Sequence, residues 1–286
     1  MANLKELRSR ITSVSSTMQI TSAMKMVSAA KLSKAQDAIT SMRPYAEKLT
    51  QLLQDLSATL DDDAGSKFAE EREVKKVLIV AISSNKGLAG AFNTNIIKKV
   101  KVKIQEQYQG KDVEVYTIGK KGNDILKKTF DIYKNNNGIF DELTFDNVSE
   151  IAEELMQVFL DGKFDRIDIV YNQFKNAGTQ YVIDEQFLPI EKFDSDSGKQ
   201  LDYIFEPSKL EIVKDLIPKS LKMQIFKALR DSFASEHGAR MTAMHKATDN
   251  AKELRDDLKL SYNKARQASI TNEILEIVGG AEALNG

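Results

Sequence analysis

The sequence predicts an α/β protein in which a long antiparallel coiled coil, formed by both ends of the chain, flanks an inserted α/β domain. Helix-breaking glycine and proline are scarce at both ends, and most of the fourteen glycines lie between residues 65 and 198. The middle alternates short apolar segments with helical segments, which is typical of a largely parallel sheet. We therefore predict a coiled-coil helix at 1–60, an α/β domain at 74–206 and a second coiled-coil helix at 208–284 that pairs with the first.

The first helix carries a heptad seam. Taking every third and then every fourth residue from Leu4 to Leu60, fourteen of seventeen positions are apolar, which favours a coiled coil. Pro44 should kink this helix without ending it, because the apolar spacing continues in phase beyond the proline. The three polar positions on the seam fall together, at Thr21, Lys25 and Ser28.

The segment ITSAMKMVSAAK, residues 20–31, surrounds these polar positions and is apolar on almost every side of a helix. A helix that is apolar all round is normally buried. One explanation is a locally imperfect coiled coil. The other, which we favour, is that the helix contacts a third partner here.

The last helix mirrors the first. Between Lys219 and Val278 the only helix breaker is Gly238. A spacing of three and four continues through small and apolar residues, namely Met244, Ala247, Ala251, Leu254, Leu258, Ser261, Ala265 and Ala268. The sequence ends with EILEIVGGAEALNG, and because free termini are usually polar, we expect this apolar end to be covered by another molecule.

The middle of the chain reads as a Rossmann-like α/β domain. Apolar runs predict strands at 74–83, 113–119, 166–174, 179–190 and 202–207, with helices at 93–107, near 120–129 and at 149–161. The turn from Lys86 to Gly90 suggests nucleotide binding. It lacks both the Gly-Lys-Ser/Thr of a P-loop and the three-glycine dinucleotide motif, so we interpret it as a tight strand-to-helix turn.

Composition narrows the possible functions. The 286 residues carry a net charge of −1 and include no cysteine. The balanced charge gives no overall polybasic signature for nucleic acid or for an anionic membrane, and the lack of cysteine excludes disulfides, Cys-based zinc sites and a thiol nucleophile. No signal peptide is recognisable, and no apolar run approaches the ~20 residues that span a membrane. We expect any membrane association to use another protein or a surface patch.

Catalytic groups are few. His237 and His245 are eight residues apart, which cannot form an i, i+4 metal pair, and we expect both to be exposed or interface residues. Glu253, Asp256 and Asp257 read as a solvated stripe. The sequence therefore predicts no catalytic residue, no cofactor site and no metal site.

Several segments together resemble the γ subunit of the F-type ATP synthase. They are ITSAMKMVSAAKL with RPYAEK, the turn SSNKGLAGAFN, ARMTAMHKATDNA, and SYNKARQASITNEILEIVGGA, of which SYNKARQASIT is highly specific. These segments occur in the family's order over essentially the whole chain.

The resemblance implies a non-catalytic central-stalk rotor. The terminal helices would form an asymmetric shaft inside a hexamer of α and β subunits, and the α/β domain would be a foot bound to the ε subunit and the membrane c ring. Ion-driven rotation of that ring would take the catalytic β subunits through their conformational cycle. It also implies no nucleic acid, membrane association only through the complex, and a peripheral location at the cytoplasmic face of the bacterial plasma membrane, since no transit peptide pattern is seen.

The resemblance also implies contact residues. Those expected to meet β are Met24, Lys25, Lys31, Arg240, Arg266, Gln267, Thr271 and Glu273. Those expected to meet the c ring or ε are Tyr203, Phe205 and Glu206. Many relatives carry Glu at the position of Lys25, which leaves the electrostatics at that point open.

Two other functions are compatible with parts of the pattern. A nucleotide-dependent enzyme with coiled-coil arms would need a phosphate-binding loop, which the turn at Lys86–Gly90 does not supply. A coiled-coil scaffold or adaptor with an α/β domain would self-associate through the seam and would not require a hexamer of other subunits.

Overall fold

The computed structural model describes residues 4–57, 66–70, 72–190 and 209–285. Two long helices, α1 (Leu4–Ser57) and α6 (Lys209–Asn285), lie at the ends of the chain, and the elements between them form an α/β domain. The fold class predicted from the sequence is confirmed. By compactness the chain divides into two units, one made of Met1–Ser28 with Met241–Gly286 and the other of Ala29–Arg240.

A five-stranded sheet forms the centre of the Ala29–Arg240 unit. The strands are β1 (Lys76–Ile82), β2 (Asp112–Ile118), β3 (Asp131–Asn136), β4 (Arg166–Asn176) and β5 (Thr179–Leu188). Their spatial order is β3-β2-β1-β4-β5, and every neighbouring pair is parallel except β4 and β5. Four predicted strands are therefore present, whereas the strand predicted at 202–207 lies outside the described residues.

Four shorter helices accompany the sheet. They are α2 (Ser66–Ala69), α3 (Phe92–Gln107), α4 (Lys120–Leu126) and α5 (Phe145–Leu160), with a 3-10 turn at Gly138–Phe140. Alternate residues of β1 face opposite sides of the sheet, as the strand period requires. Val77, Ile79 and Ala81 pack with α3, whereas Leu78, Val80 and Ile82 pack with α5 and α6. The sheet is thus covered on both faces.

The N-terminal seam is confirmed along the described part of α1. Every predicted seam position from Leu4 to Leu49 is buried or half-buried. In the Ala29–Arg240 unit, Met42 and Leu49 pack with Met223 of α6. Pro44 lies within α1 and does not end it, as predicted.

In the other unit, α1 and α6 run antiparallel. Met18 contacts Arg255 (Sδ to Nη1, 3.6 Å), and Thr21 contacts Thr248 (Oγ1 to Oγ1, 2.8 Å). Lys25 then contacts His245 (Nζ to Nδ1, 3.4 Å). The residue numbers of the partners on α6 fall as those on α1 rise, so the predicted antiparallel pairing is confirmed.

The C-terminal seam differs from its prediction at three of the eight positions. Leu254 is 51% exposed, and Ser261 and Ala268 are exposed. The other five are buried or half-buried as expected: Met244, Ala247, Ala251, Leu258 and Ala265. The half-buried residues at these turns are Arg255, Tyr262 and Ser269. The prediction chose small and apolar residues. An alternation of four and three residues from Met244 instead selects Arg255 and Tyr262, whose stem and ring cover the seam, and then the small Ser269.

A close approach between β1 and α4 fixes the end of the sheet. The Oγ atom of Ser83 accepts a hydrogen bond from the Gly122 N–H (2.9 Å), and Gly119 has a φ of 104°. A Cβ atom at Gly119 would lie 2.3 Å from the Ser83 carbonyl oxygen. Only glycine fits this position without moving the backbone.

We expect Gly119→Ala to lower the free energy of unfolding by roughly 2–4 kcal/mol, because the variant adds a backbone clash to a left-handed conformation. Gly110→Ala is the matched control: Gly110 also has a positive φ, of 77°, but an added Cβ would meet nothing within 4 Å. Its cost should be roughly 1–2 kcal/mol. Urea unfolding of both variants checks this, and equal losses would show that the contact with Ser83 is unimportant.

Two acids lie where α6 packs on the sheet: Asp231 is buried and Glu185 of β5 is half-buried. Asp231 is 3% exposed, and its Oδ1 atom has no hydrogen-bond partner among the described residues. Burial raises the pKa of Asp231 to about 6, and Glu185 of β5 raises it further, while Lys227 and Arg43 act in the opposite direction. Burial likewise raises the pKa of Glu185, whose Oε1 atom is also unpartnered. Tyr171 of β4 is fully buried, and burial together with the nearby Glu185 carboxylate raises the pKa of its hydroxyl.

We expect Asp231→Asn to reduce the pH dependence of stability. Between the ordinary pKa of 3.8 and the folded value of about 6, the folded chain holds a proton that the unfolded chain has lost, so stability falls as pH rises through this window. In the variant this fall should be smaller, since the part due to Asp231 is gone and Glu185, whose pKa burial also raises, still titrates. Urea unfolding at several pH values between about 4 and 7 tests it, with the exposed Asp257→Asn as control; the same slope in Asp231→Asn as in the wild type would contradict it.

Candidate functional site

The apolar face of α1 between Ile20 and Val27 is exposed. Met26 is 64% exposed, and Ile20 and Val27 are each more than half-exposed. These side chains lie off the pairing seam, so an imperfect coiled coil does not account for them. Exposed apolar side chains grouped on one surface are typical of a contact site for another molecule.

The pairing seam beside this face is polar and satisfied within the unit. Thr21 hydrogen-bonds Thr248, and Lys25 contacts His245. Ser28 is buried and donates to the Met24 carbonyl oxygen at 2.8 Å. The usual arrangement is therefore reversed: polar groups face the partner helix and apolar groups face outward.

The C-terminal part of α6 forms a second exposed apolar surface. Every residue from Thr271 to Ala281 is exposed, and Ile277 reaches 71%. Ile274, Leu275 and Val278 are each more than half-exposed. Burial of such side chains contributes roughly 1.5–3 kcal/mol each, so a covering partner would be strongly favoured. The expectation that this end is covered by another molecule stays a prediction.

Most of the predicted β-contact residues of this unit are accessible. Arg266, Gln267, Thr271 and Glu273 are exposed, while Met24 and Lys25 are half-buried. Thr271 donates to the Gln267 backbone carbonyl oxygen at 2.9 Å, and the side-chain amide of Gln267 forms no hydrogen bond with any described residue. The Arg266 guanidinium forms no salt bridge with any described residue.

The other two predicted β-contact residues, Lys31 and Arg240, belong to the Ala29–Arg240 unit. Lys31 is exposed, whereas Arg240 is only 6% exposed. The Arg240 guanidinium forms a salt bridge with Glu236 (2.7 Å) and donates to the carbonyl oxygens of Lys86 (2.9 Å) and Gly87 (3.2 Å). It holds the turn after β1 from within the chain. The i, i+4 spacing of Glu236 and Arg240 could have indicated this pair from the sequence.

The prediction for His237 was wrong, while that for His245 was right. His245 is exposed and lies 3.3 Å from the Asp249 carboxylate. His237 is buried, and its ring packs edge-on against Phe233 with centroids 4.5 Å apart. Burial lowers the pKa of His237 to about 4, and the nearby cations Arg240, Lys31 and Lys86 lower it further. The ring is therefore uncharged at neutral pH.

Helix α6 occupies the crevice at the carboxyl end of β1 and β4, where open α/β sheets usually bind nucleotides. Ser235 donates to the Asn172 carbonyl oxygen at 3.0 Å, and a Cβ at Gly238 would lie 3.2 Å from Ala177. The turn itself is closed by Asn93, whose Oδ1 accepts from the Ser84 N–H at 2.9 Å. This packing favours a structural role for the turn.

Two further findings concern only the described residues. No group of three or more His, Asp or Glu side chains in them could hold a metal ion. None of their helices is long and apolar enough to cross a membrane. The predicted contacts to the c ring or ε, Tyr203, Phe205 and Glu206, lie outside the described residues.

The chain was compared with known proteins. A family model described as ATP synthase matches residues 3–284. The ATP synthase gamma chain of Christiangramia forsetii is 84% identical over 286 residues, and that of Flavobacterium psychrophilum is 71% identical over 287 residues. Both alignments cover the full length of both chains.

Solved structures agree. A chain from the Tetrahymena thermophila mitochondrial ATP synthase central stalk and c ring is 26% identical with a TM-score of 0.61, covering 80% of this chain and 99% of that one. A chain from the Euglena gracilis mitochondrial ATP synthase rotor has a TM-score of 0.69 at 22% identity, covering 93% and 98%, and shows the same fold. The full-length match to curated gamma chains and the shared fold show that this chain belongs to the ATP synthase γ chain family.

Proposed function

We propose that this chain is the central-stalk rotor of a bacterial F-type ATP synthase and performs no bond chemistry itself. The observation that carries the proposal is the pair of outward apolar surfaces on α1 and on the end of α6, in a chain whose family is established. Similar chains come from assemblies described as a central stalk with a c ring and as a rotor. We infer the corresponding partners here: an α and β hexamer, the ε subunit and the c ring.

The exposed surfaces suit a shaft that turns inside a sleeve. An apolar side chain such as Ile277 gains contact area without fixed geometry, so it tolerates sliding, whereas a salt bridge would have to break at each step. A shaft can change the affinity of a catalytic β site only if it contacts two conformations of the β subunit unequally. Unequal contact then shifts the equilibrium between those conformations. A helix pair with unlike faces presents a different surface to each surrounding β subunit.

The residue assignments follow this proposal. Those proposed to contact β are Met24, Lys25, Lys31, Arg240, Arg266, Gln267, Thr271 and Glu273. Arg240 would act through the turn that it holds, because its guanidinium is bonded to Lys86 and Gly87. We propose Tyr203, Phe205 and Glu206 as contacts to the c ring or ε.

We also propose the functional division into a shaft formed by 1–60 and 208–284 and a foot formed by 74–206. The complex would place the chain at the cytoplasmic face of the bacterial inner membrane. The scaffold alternative predicts self-association in place of this assembly.

Native mass spectrometry of a complex purified through a tag on this chain should give one copy with three α and three β subunits. The physical reason is that a single asymmetric shaft can fill one hexamer. The purification should use the natural host, and a strain carrying the tag alone serves as control. Recovery only as a monomer or homodimer, from cells that contain an intact synthase, would favour the scaffold alternative.

Replacing Arg266 and Gln267 together with Ala should lower the ATPase turnover of the assembled complex several-fold, because two exposed polar contacts to β would be lost. The matched control replaces Lys252 and Glu253, two exposed residues on the same helix outside the proposed contact set. Circular dichroism of the isolated chains should show unchanged helix content for both variants. Normal ATPase turnover of the Arg266 and Gln267 variant would show that these two residues are surface residues without a role in contact with β.

A further inference from the structure

The α/β domain is electrically polarised, although the net charge of the chain is only −1. Residues 92–134 contain ten lysines, no arginine and five acidic residues. Residues 141–165 contain eight acidic residues and one lysine. The first segment includes α3 and α4, and the second includes α5.

These two segments cover opposite faces of the sheet. Ile96, Ile97 and Val100 of α3 share a core with Leu126 of α4 and one side of β1. Residues of α5 from Val148 to Phe159 pack on the other side of β1. One side of the sheet therefore carries the lysine-rich helices α3 and α4. The other side carries the acidic helix α5 together with α6, whose Lys222 pairs with Glu153 of α5.

Six lysines of α3, of α4 and of the segment directly after α4 are unpaired among the described residues. Each is exposed or half-buried, and none forms a salt bridge within the described part of the chain: Lys98, Lys101, Lys120, Lys121, Lys127 and Lys128. We call these six residues the lysine face. By contrast, Lys103 of α3 is buried and paired with Asp168 (3.0 Å) and Asp184 (3.3 Å). Lys103 thus forms ion pairs that stabilise the domain, whereas the lysine face forms no such ion pairs with the described residues.

We propose that the lysine face binds the surface of an anionic phospholipid bilayer. Protein interfaces favour arginine and contain little lysine, whereas clusters of lysine beside a membrane are typical of attraction to acidic headgroups. Ile125 of α4, 44% exposed, lies among these lysines and can enter the headgroup region. Repulsion between the membrane and the acidic α5 face orients the domain with the lysine face toward the lipid.

This binding does not depend on the rotor assignment, since it uses only the charges of the folded domain. It is also compatible with rotation. Attraction to a fluid layer of headgroups has no fixed partner and therefore no preferred angle, whereas a salt bridge to a fixed protein group would hold the domain at one position.

Vesicle co-sedimentation of the full chain tests the proposal. The chain should bind vesicles of phosphatidylglycerol mixed with phosphatidylcholine and should not bind pure phosphatidylcholine. Binding should weaken at least tenfold when about 0.5 M KCl screens the charges. The variant Lys98→Gln, Lys127→Gln, Lys128→Gln should lose at least tenfold in affinity, because each lysine near the surface is worth roughly fivefold.

The matched control is Lys246→Gln, Lys252→Gln, Lys259→Gln, which removes the same charge from exposed positions on α6. It should bind as the wild type does. Equal losses of affinity in the two variants would show that only the total charge of the chain matters, and would overturn the proposal. Equal binding to pure phosphatidylcholine, or no binding to anionic vesicles, would also overturn it. Preferential, saturable binding to poly-glutamate over vesicles would also overturn it, in favour of an acidic protein partner.

Discussion

The packing of α6 against the sheet both stabilises the α/β domain and fills the crevice at the carboxyl end of its strands. Leu221, Ile225 and Leu229 enter the larger of the two cores, and Ser235 bonds to the backbone of β4. One turn later, Arg240 bonds to the loop after β1. The same contacts that stabilise the domain fill the crevice where an open α/β sheet would otherwise bind a nucleotide. A fold associated with ligand binding is in this way used as an attachment for a long helix.

Desolvation, more than local charge, sets the protonation of groups under α6. His237 is uncharged because burial and three nearby cations oppose its protonation. Burial raises the pKa of Glu236 even though Arg240 lies within salt-bridge distance. Asp231 behaves in the same way beside Lys227 and Arg43. The interface of α6 with the sheet consequently relies on apolar burial and hydrogen bonds, which salt affects little.

The sequence predicted the elements whose pattern depends on burial. Apolar periodicity in the sequence predicted the N-terminal seam, the antiparallel pairing and strands β1, β2, β4 and β5. The residues that follow this periodicity are the ones that the fold buries. Strand β3, Asp131–Asn136, was missed because it is a short polar edge strand with no alternating apolar signal. His237 and Leu254 were misjudged because a local pattern does not show which side of α6 meets the sheet or the partner helix. The expected contact residues were indicated only by family resemblance, because the apolar periodicity of a single chain carries no signal for contacts with another subunit.

The long helices carry two kinds of surface that respond differently to conditions. Polar side chains on their shared seam, such as Thr21 and Thr248, satisfy one another, so the pair gains specificity of register at the expense of apolar burial. Apolar side chains that lie off this seam, such as Met26 and Ile277, are exposed. The pair is therefore weaker alone than its length suggests, and a surrounding apolar sleeve would add the burial that the seam lacks. Under the proposed function, a partner that binds only the folded helix pair would stabilise this pair further on assembly.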